Sequence, residues 1–93
     1  MFKVNEYFEG KVTSLAFETA GGKATIGVIA AGEFEFGTST VEYMTVTSGI
    51  MEVMQEGETT WKTYQEFDTF MVPANSKFRM KVAEDTSYRC LYR

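Results

Sequence analysis

Apolar and polar residues alternate along most of the chain in short runs, which are separated by glycine-containing or acidic turns. Residues 33–36 read Glu-Phe-Glu-Phe and residues 77–82 read Lys-Phe-Arg-Met-Lys-Val, so each run places apolar side chains on one face and charges on the other. No helical period is sustained anywhere. The pattern predicts about eight to ten short antiparallel strands, with runs at residues 11–17, 24–30, 33–36, 43–47, 50–55, 61–65, 68–72, 77–82 and 86–92.

Glycine and proline mark the predicted turns. The Gly21-Gly22 pair is typical of a tight hairpin between the first two strands. Pro73 ends a strand because proline has no amide hydrogen to donate to a ladder. The segment before Gly10 and the loop at 38–42 are the longest stretches predicted outside strands. Within the strand at 24–30, one face carries Ala24, Ile26, Val28 and Ala30.

Evenly spaced strands without linkers or repeats predict one all-β domain over residues 1–93, a barrel or a sandwich. The net charge of −4 argues against a nucleic-acid-binding surface. No apolar run approaches the roughly 20 residues of a membrane helix, and no signal peptide is recognisable. A single cysteine, Cys90, favours a reducing cytoplasm over a disulfide-stapled secreted domain, and its alternation with tyrosines predicts a buried small hydrophobe.

The chain contains no histidine. Zinc, iron and copper sites depend on imidazole or thiolate ligands, so a transition-metal enzyme is not expected and no cofactor is predicted. A Ser-His or Cys-His catalytic arrangement is excluded for the same reason.

Three stretches carry a resemblance to a known family. The first is residues 5–12, and the second runs from Gly32 through Phe36 to residues 44–49. The third joins residues 70–73, Ser76, Phe78 and residues 86–90. In their order and spacing these stretches resemble the pyrimidine/purine nucleoside phosphorylases over essentially the whole chain. The resemblance implies a cupin-like β-barrel or jelly roll, a homodimer, and a pentosyltransferase that uses phosphate to cleave nucleosides to free base and ribose 1-phosphate.

The resemblance also extends to the two cupin motifs, but without their metal ligands. Metal-binding cupins carry a glycine, two histidines, a glutamate and a second glycine, and then a proline five residues before a last histidine. Here only the glycines, the glutamate and the proline are matched, and the histidine positions hold other residue types. The corresponding residues are Gly32, Thr38, Thr40, Glu42, Gly49, Pro73 and Phe78. The scaffold resembles a cupin that has lost its metal.

Glu42 is the predicted catalytic residue, because it is the carboxylate nearest this inherited site. Negative charge beside a sugar ring stabilises the oxocarbenium-like state through which a glycosidic bond breaks. The alternative for Glu42 is a solvated loop residue. Residues that could line the barrel mouth and stack a base are the predicted substrate contacts, with ordinary core packing as their alternative; they are Tyr7, Phe36, Met44, Phe70, Phe78 and Tyr88.

Three cations are predicted to bind phosphate, namely Lys11, Arg79 and Arg89. Arginine suits bidentate phosphate contact. Arg89 has less polar neighbours than Arg79 and is therefore the better candidate for a partly buried cation that faces phosphate. Surface charge or a surface salt bridge is the alternative for all three residues.

The sequence thus predicts a cytoplasmic, homodimeric nucleoside phosphorylase of broad base specificity, with nucleoside and inorganic phosphate as its partners. A metal-free cupin that binds a small molecule without catalysis is the alternative. A purely structural or interaction module is a third possibility, and an interior filled by Phe34, Phe36 and Phe78 would favour it.

Overall fold

The computed structural model describes all 93 residues and contains ten β-strands. The strands are β1 (Lys3–Tyr7), β2 (Val12–Thr19), β3 (Gly22–Ile29), β4 (Gly32–Gly37), β5 (Glu42–Ser48), β6 (Met51–Gln55), β7 (Lys62–Tyr64), β8 (Thr69–Val72), β9 (Lys77–Val82) and β10 (Thr86–Tyr92). The predicted all-β fold is confirmed. No helix is present that could cross a membrane.

Two antiparallel sheets face each other. The larger has the strand order β1-β2-β3-β10-β5-β8, and the smaller has the order β4-β9-β6-β7. The last strand, β10, lies inside the larger sheet between β3 and β5, so the end of the chain joins its first and second halves. This arrangement is the cupin-like barrel.

The core lies between the sheets and is built from the inward residues of both. Fourteen buried hydrophobic side chains form one cluster, in which Ile29, Met51 and Met80 are at most 1% exposed. In β9 the apolar residues face inward and the charges face outward, as the strict alternation predicts. The core fills one part of the space between the sheets and leaves the other part open, as described below.

The N-terminal segment forms a strand that the sequence pattern did not predict. β1 pairs with β2 along its whole length, with Asn5 opposite Ser14. The prediction that this segment lies outside the strands was wrong, because β1 is a largely exposed edge strand without an apolar face. Edge strands often carry polar and charged side chains, which hinder pairing with other chains. Such a strand does not show the apolar-polar alternation by which half-buried strands are recognised.

In β3 the apolar face turns away from the core. Ile26 and Val28 are 42% and 53% exposed, whereas Thr25 and Ile29 are buried. Gly27 also faces inward. The larger sheet therefore has an apolar outer face and a partly polar inner face, which is the reverse of the usual order.

Candidate active site

An open cavity of about 550 Å³ lies between the two sheets. Cavities of roughly 300–1,000 Å³ hold small organic ligands. Its wall comes from β1, β2, β3, β5 and β10 of the larger sheet and from β4 and β9 of the smaller one. The interior is thus not filled by aromatic side chains, since Phe36 and Phe78 line an open space.

Glu42 is the buried carboxylate of this cavity. It is the first residue of β5 and is 9% exposed. The β-ladder places it beside Tyr92 of β10 and Val72 of β8. Burial raises the pKa of Glu42, because the surroundings solvate its charge less well than water does, while a hydrogen bond from Cys90 opposes the shift.

Cys90 is the hydrogen-bond partner of Glu42. Its thiol donates to Glu42 Oε1 across 3.4 Å. Burial and the nearby Glu42 charge raise the pKa of Cys90 to about 12, so the thiol stays protonated at neutral pH. Cys90 is therefore buried as the sequence predicts, and it is a hydrogen-bond donor to the carboxylate and not a nucleophile.

Tyr92 and Thr25 continue the row of polar side chains from Glu42 and Cys90 toward β3. The Tyr92 hydroxyl and Thr25 Oγ1 are 3.1 Å apart, and burial raises the pKa of Tyr92 as well. Lys23 is the exposed end of this row, and its Nζ lies 5.4 Å from the centre of the Tyr92 ring. This end of the cavity thus carries a carboxylate, neutral hydroxyls and a lysine on three adjacent strands.

Aromatic rings form the opposite wall. Phe36 and Phe78 stack with their centroids 5.7 Å apart and their planes at 27°. Phe8 packs edge-on against Phe36 at 5.5 Å, and Tyr7 does so at 6.3 Å. Phe8 has a positive φ of 54°, a conformation that costs a non-glycine residue roughly 1–2 kcal/mol, and its contacts with the wall help to offset that cost. The aromatics that precede the first predicted strand therefore lie at the barrel mouth.

Tyr88 enters the cavity because the facing residue on β3 is a glycine. A Cβ atom at Gly27 would lie 2.5 Å from Tyr88 Cζ, closer than any normal contact. Tyr88 is 7% exposed, and burial raises the pKa of its hydroxyl to about 12. The ring therefore occupies a fixed place above Gly27, with its hydroxyl neutral at physiological pH.

The structure brings most of the predicted substrate contacts to one place. Glu42 lines the cavity together with Tyr7, Phe36, Met44, Phe78 and Tyr88. Phe70 does not line it, because its ring is buried in the core and stacks on Tyr64 at 4.5 Å.

The three predicted phosphate ligands lie outside the cavity. Lys11 is exposed in the turn between β1 and β2. Arg79 forms a salt bridge with Glu33 on the outer side of the smaller sheet. Arg89 lies on the exposed outer face of the larger sheet, so the inference that it is partly buried was wrong. Its position in β10 alternates with the inward-facing Tyr88.

Several cavity residues were not predicted. The polar ones are Lys3, Asn5, Ser14, Lys23, Thr25, Glu35, Ser39, Thr40 and Tyr92. For Lys3 and Asn5 a signal exists, since a spacing of two places them on the same strand face as the predicted contact Tyr7 once β1 is recognised. The sequence gives no comparable sign that Lys23 and Thr25 face inward.

Comparison with known proteins identifies the family. The family model described as "Pyrimidine/purine nucleoside phosphorylase" matches residues 2–92. A curated relative from Pseudomonas fluorescens with the same name is 59% identical over 93 residues, covering all of this chain and 99% of the relative. The chain belongs to the pyrimidine/purine nucleoside phosphorylase family. The family resemblance of the sequence is therefore confirmed.

Solved structures support the fold of this family member. A crystal structure of a protein of unknown function from Vibrio parahaemolyticus superposes with a TM-score of 0.94 at 41% identity, covering 97% of this chain and 96% of that one. A DUF861 family protein from Thermotoga maritima superposes with a TM-score of 0.65 at 22% identity, covering 73% of this chain and 76% of that one. The second likeness concerns the cupin-like fold alone.

Proposed function

We propose that this chain is a nucleoside phosphorylase and that it cleaves purine and pyrimidine nucleosides in the cavity between its sheets. Its family membership supports the general activity. The observation that carries the location is a buried carboxylate, Glu42, in the same cavity as a wall of stacked aromatic rings. A nucleoside needs surfaces of both kinds, one for the sugar and one for the base.

The base would stack on the aromatic wall of Phe36 and Phe78. Stacking tolerates every base, because each has a flat π-face, whereas specific hydrogen bonds to base edges discriminate between bases. The two rings themselves have no hydrogen-bonding group that could select one base. This composition supports the broad specificity for purines and pyrimidines that the sequence predicts.

The sugar would lie beside Glu42. In the reaction the bond between the anomeric carbon and the base nitrogen breaks, and a bond from that carbon to an oxygen of hydrogen phosphate forms. The base leaves with a proton taken from solvent, and the phosphate group releases its own proton to solvent. Positive charge develops on the sugar in between, and an ionised Glu42 would stabilise it. Cys90 would orient the carboxylate through its hydrogen bond.

We also propose that two copies of the chain pair through the outer face of the larger sheet. Apolar side chains that are 41–55% exposed lie on this face, among them Val4, Leu15, Ile26, Val28, Tyr43 and Met71. Exposed apolar patches of this kind mark interaction surfaces, and a symmetric dimer is the commonest assembly that covers them. The cytoplasmic location stays a prediction, for which the unpaired Cys90 is the support.

The test is release of free base from uridine, adenosine and xanthosine by purified protein that has been treated with a chelator. We expect release from all three nucleosides when phosphate is present and none when it is replaced by chloride. Nucleoside binding by calorimetry without any release would instead support the non-catalytic cupin. If the protein neither releases base nor binds nucleoside, both readings of the cavity are contradicted.

A further inference from the structure

Two lysines supply all the positive side-chain charge of the cavity. Lys3 of β1 and Lys23 of β3 line it, and no other lysine or arginine does. Both side chains are exposed, and neither takes part in the two salt bridges of the protein, which pair Lys62 with Glu58 and Arg79 with Glu33. Both ammonium groups are therefore available to an anion that enters the cavity.

Their strands hold the two lysines on one side of the larger sheet. Ala16 of β2 lies between them in the sheet, directly opposite Lys3 in one ladder and Thr25 in the other. Two strand spacings and a two-residue offset separate the lysine Cα atoms by about 12 Å. The small side chain of Ala16 leaves the intervening space open, and two extended lysine side chains can meet over it.

The lysines lie at a defined place relative to Glu42. Lys23 Nζ is near the Tyr92 ring, and Tyr92 pairs with Glu42 on the next strand. An anion held by the lysines would therefore approach a sugar at Glu42 from the β1–β3 side. The aromatic wall of Phe36 and Phe78 belongs to the other sheet. A nucleophile on one side and a leaving base on the other is the geometry of a displacement at the anomeric carbon.

We propose that Lys3 and Lys23 form the phosphate subsite of this cavity, an inference that rests on the phosphorolysis proposed above. Two ammonium groups offer several charge-assisted hydrogen bonds to a tetrahedral dianion. The subsite takes inorganic phosphate before the reaction and the phosphate group of the sugar phosphate after it. Lys11, Arg79 and Arg89 do not line this cavity.

Glu18 provides a variant that should act in the opposite direction. It lies directly opposite Lys23 in the pairing of β2 with β3. It also borders the neighbouring surface groove, together with both lysines. Its negative charge opposes anion binding at this end of the cavity. Removing that charge should strengthen phosphate binding without touching either lysine.

The experiment measures binding of inorganic phosphate to the full chain by calorimetry, and the Michaelis constants for phosphate and uridine. In a Lys3→Gln/Lys23→Gln variant we expect phosphate affinity to fall at least tenfold and the KM for phosphate to rise by a similar factor. The KM for uridine should change less than about threefold.

Two further variants serve as controls. Lys11→Gln changes a matched exposed lysine outside the cavity and should behave like the wild type, and Glu18→Gln should bind phosphate more tightly. Circular dichroism shows whether each variant is folded.

The outcomes separate this inference from the proposed reaction. Unchanged phosphate affinity and unchanged KM for phosphate in the double variant would overturn the subsite, while base release by the same protein would leave phosphorolysis standing. Phosphate binding that depends on the two lysines, without base release from any nucleoside, would support the subsite and contradict phosphorolysis. A wild-type protein that neither binds phosphate nor needs it for base release would overturn both.

Discussion

The two faces of the larger sheet differ in a way that reverses the usual distribution of polarity. The inner face carries Thr25 and Glu42 into the cavity, whereas the outer face exposes Leu15, Ile26 and Val28. A sheet of a monomeric protein normally buries its apolar side and presents polar side chains to water. The difference fits the two proposals made above, that the inner face binds a polar ligand and that the outer face binds a second copy.

The largest expected effect is on the inner face, at the carboxylate. Glu42→Gln keeps the size of the side chain and removes its charge, so kcat/KM for uridine phosphorolysis should fall by about 10²–10³, as when one group that stabilises a transition state is removed. Steady-state kinetics at pH 7.5 measures the loss. Glu35→Gln changes an exposed glutamate at the edge of the same cavity and should alter the rate less than threefold. If kcat/KM falls equally in the two variants, the loss reflects only the change of charge near the cavity and not a specific role of Glu42.

The second-largest effect is expected at Gly27, whose lack of a side chain leaves room for the Tyr88 ring on the inner face. Gly27→Ala would put a methyl group 2.5 Å from Tyr88 Cζ, so the ring must move into the cavity. We expect unfolding in urea to show a loss of about 1–3 kcal/mol, the usual cost of an added methyl group in a packed site, together with weaker nucleoside binding. Gly37→Ala is the control, since its Cβ would have only Ser76 O within 4 Å, at 3.8 Å. Equal stability of the two variants would contradict this account of Gly27.

The outer face is tested by placing a charge on it. Ile26→Lys adds an ammonium group at the centre of the exposed apolar surface, where burial against a second copy is costly. Sedimentation should show a dimer for the wild type and at least tenfold weaker association for the variant. Thr59→Lys, in an exposed loop of the smaller sheet, should leave association unchanged. A wild-type protein that sediments as a monomer would contradict the proposed role of this face.

The smallest effect is the dependence of stability on pH. Because burial raises the pKa of Glu42 in the folded state, the folded chain binds a proton there more tightly than the unfolded chain does. This residue therefore lowers stability as pH rises from its ordinary pKa of 4.5 to the raised value, and the loss persists at higher pH. Glu42→Gln should be more stable than the wild type at pH 7, and the difference should shrink toward pH 4 in urea unfolding. A variant less stable than the wild type at pH 7 would show that the carboxylate helps to hold the fold together.

The same comparison explains what the sequence could predict. The alternation in β4 and β9 correctly indicates strands, because there one face is apolar and the other charged. In β3 the alternation indicates the strand but not the direction of its faces, since the apolar side of Ile26 and Val28 lies outward. Periodicity distinguishes two faces without saying which one meets the core.

The same limit applies to the candidate site, since a side chain can be assigned to it only when the inward face of its strand is known. Glu42 could be named because the cupin motif places it at the inherited site. Most of the aromatic contacts could be named because aromatic side chains at the mouth of a predicted barrel can stack a base. Lys3 and Lys23 could not, since their position depends on the pairing of β1 and β3 with β2 and on which face of those strands turns inward. Arg89 was placed wrongly for the same reason, because its apolar neighbourhood belongs to the outer face.

The most direct test of the central claim is to find which face a nucleoside contacts. The chain has six methionines, of which Met44 and Met80 line the cavity and Met71 lies exposed on the outer face. In a spectrum of the ¹³C-labelled methionine methyl groups, we expect added uridine to shift the signals of Met44 and Met80 and to leave that of Met71 in place. A shift of Met71 with Met44 and Met80 unchanged would contradict the claim that the inner face is the site of reaction.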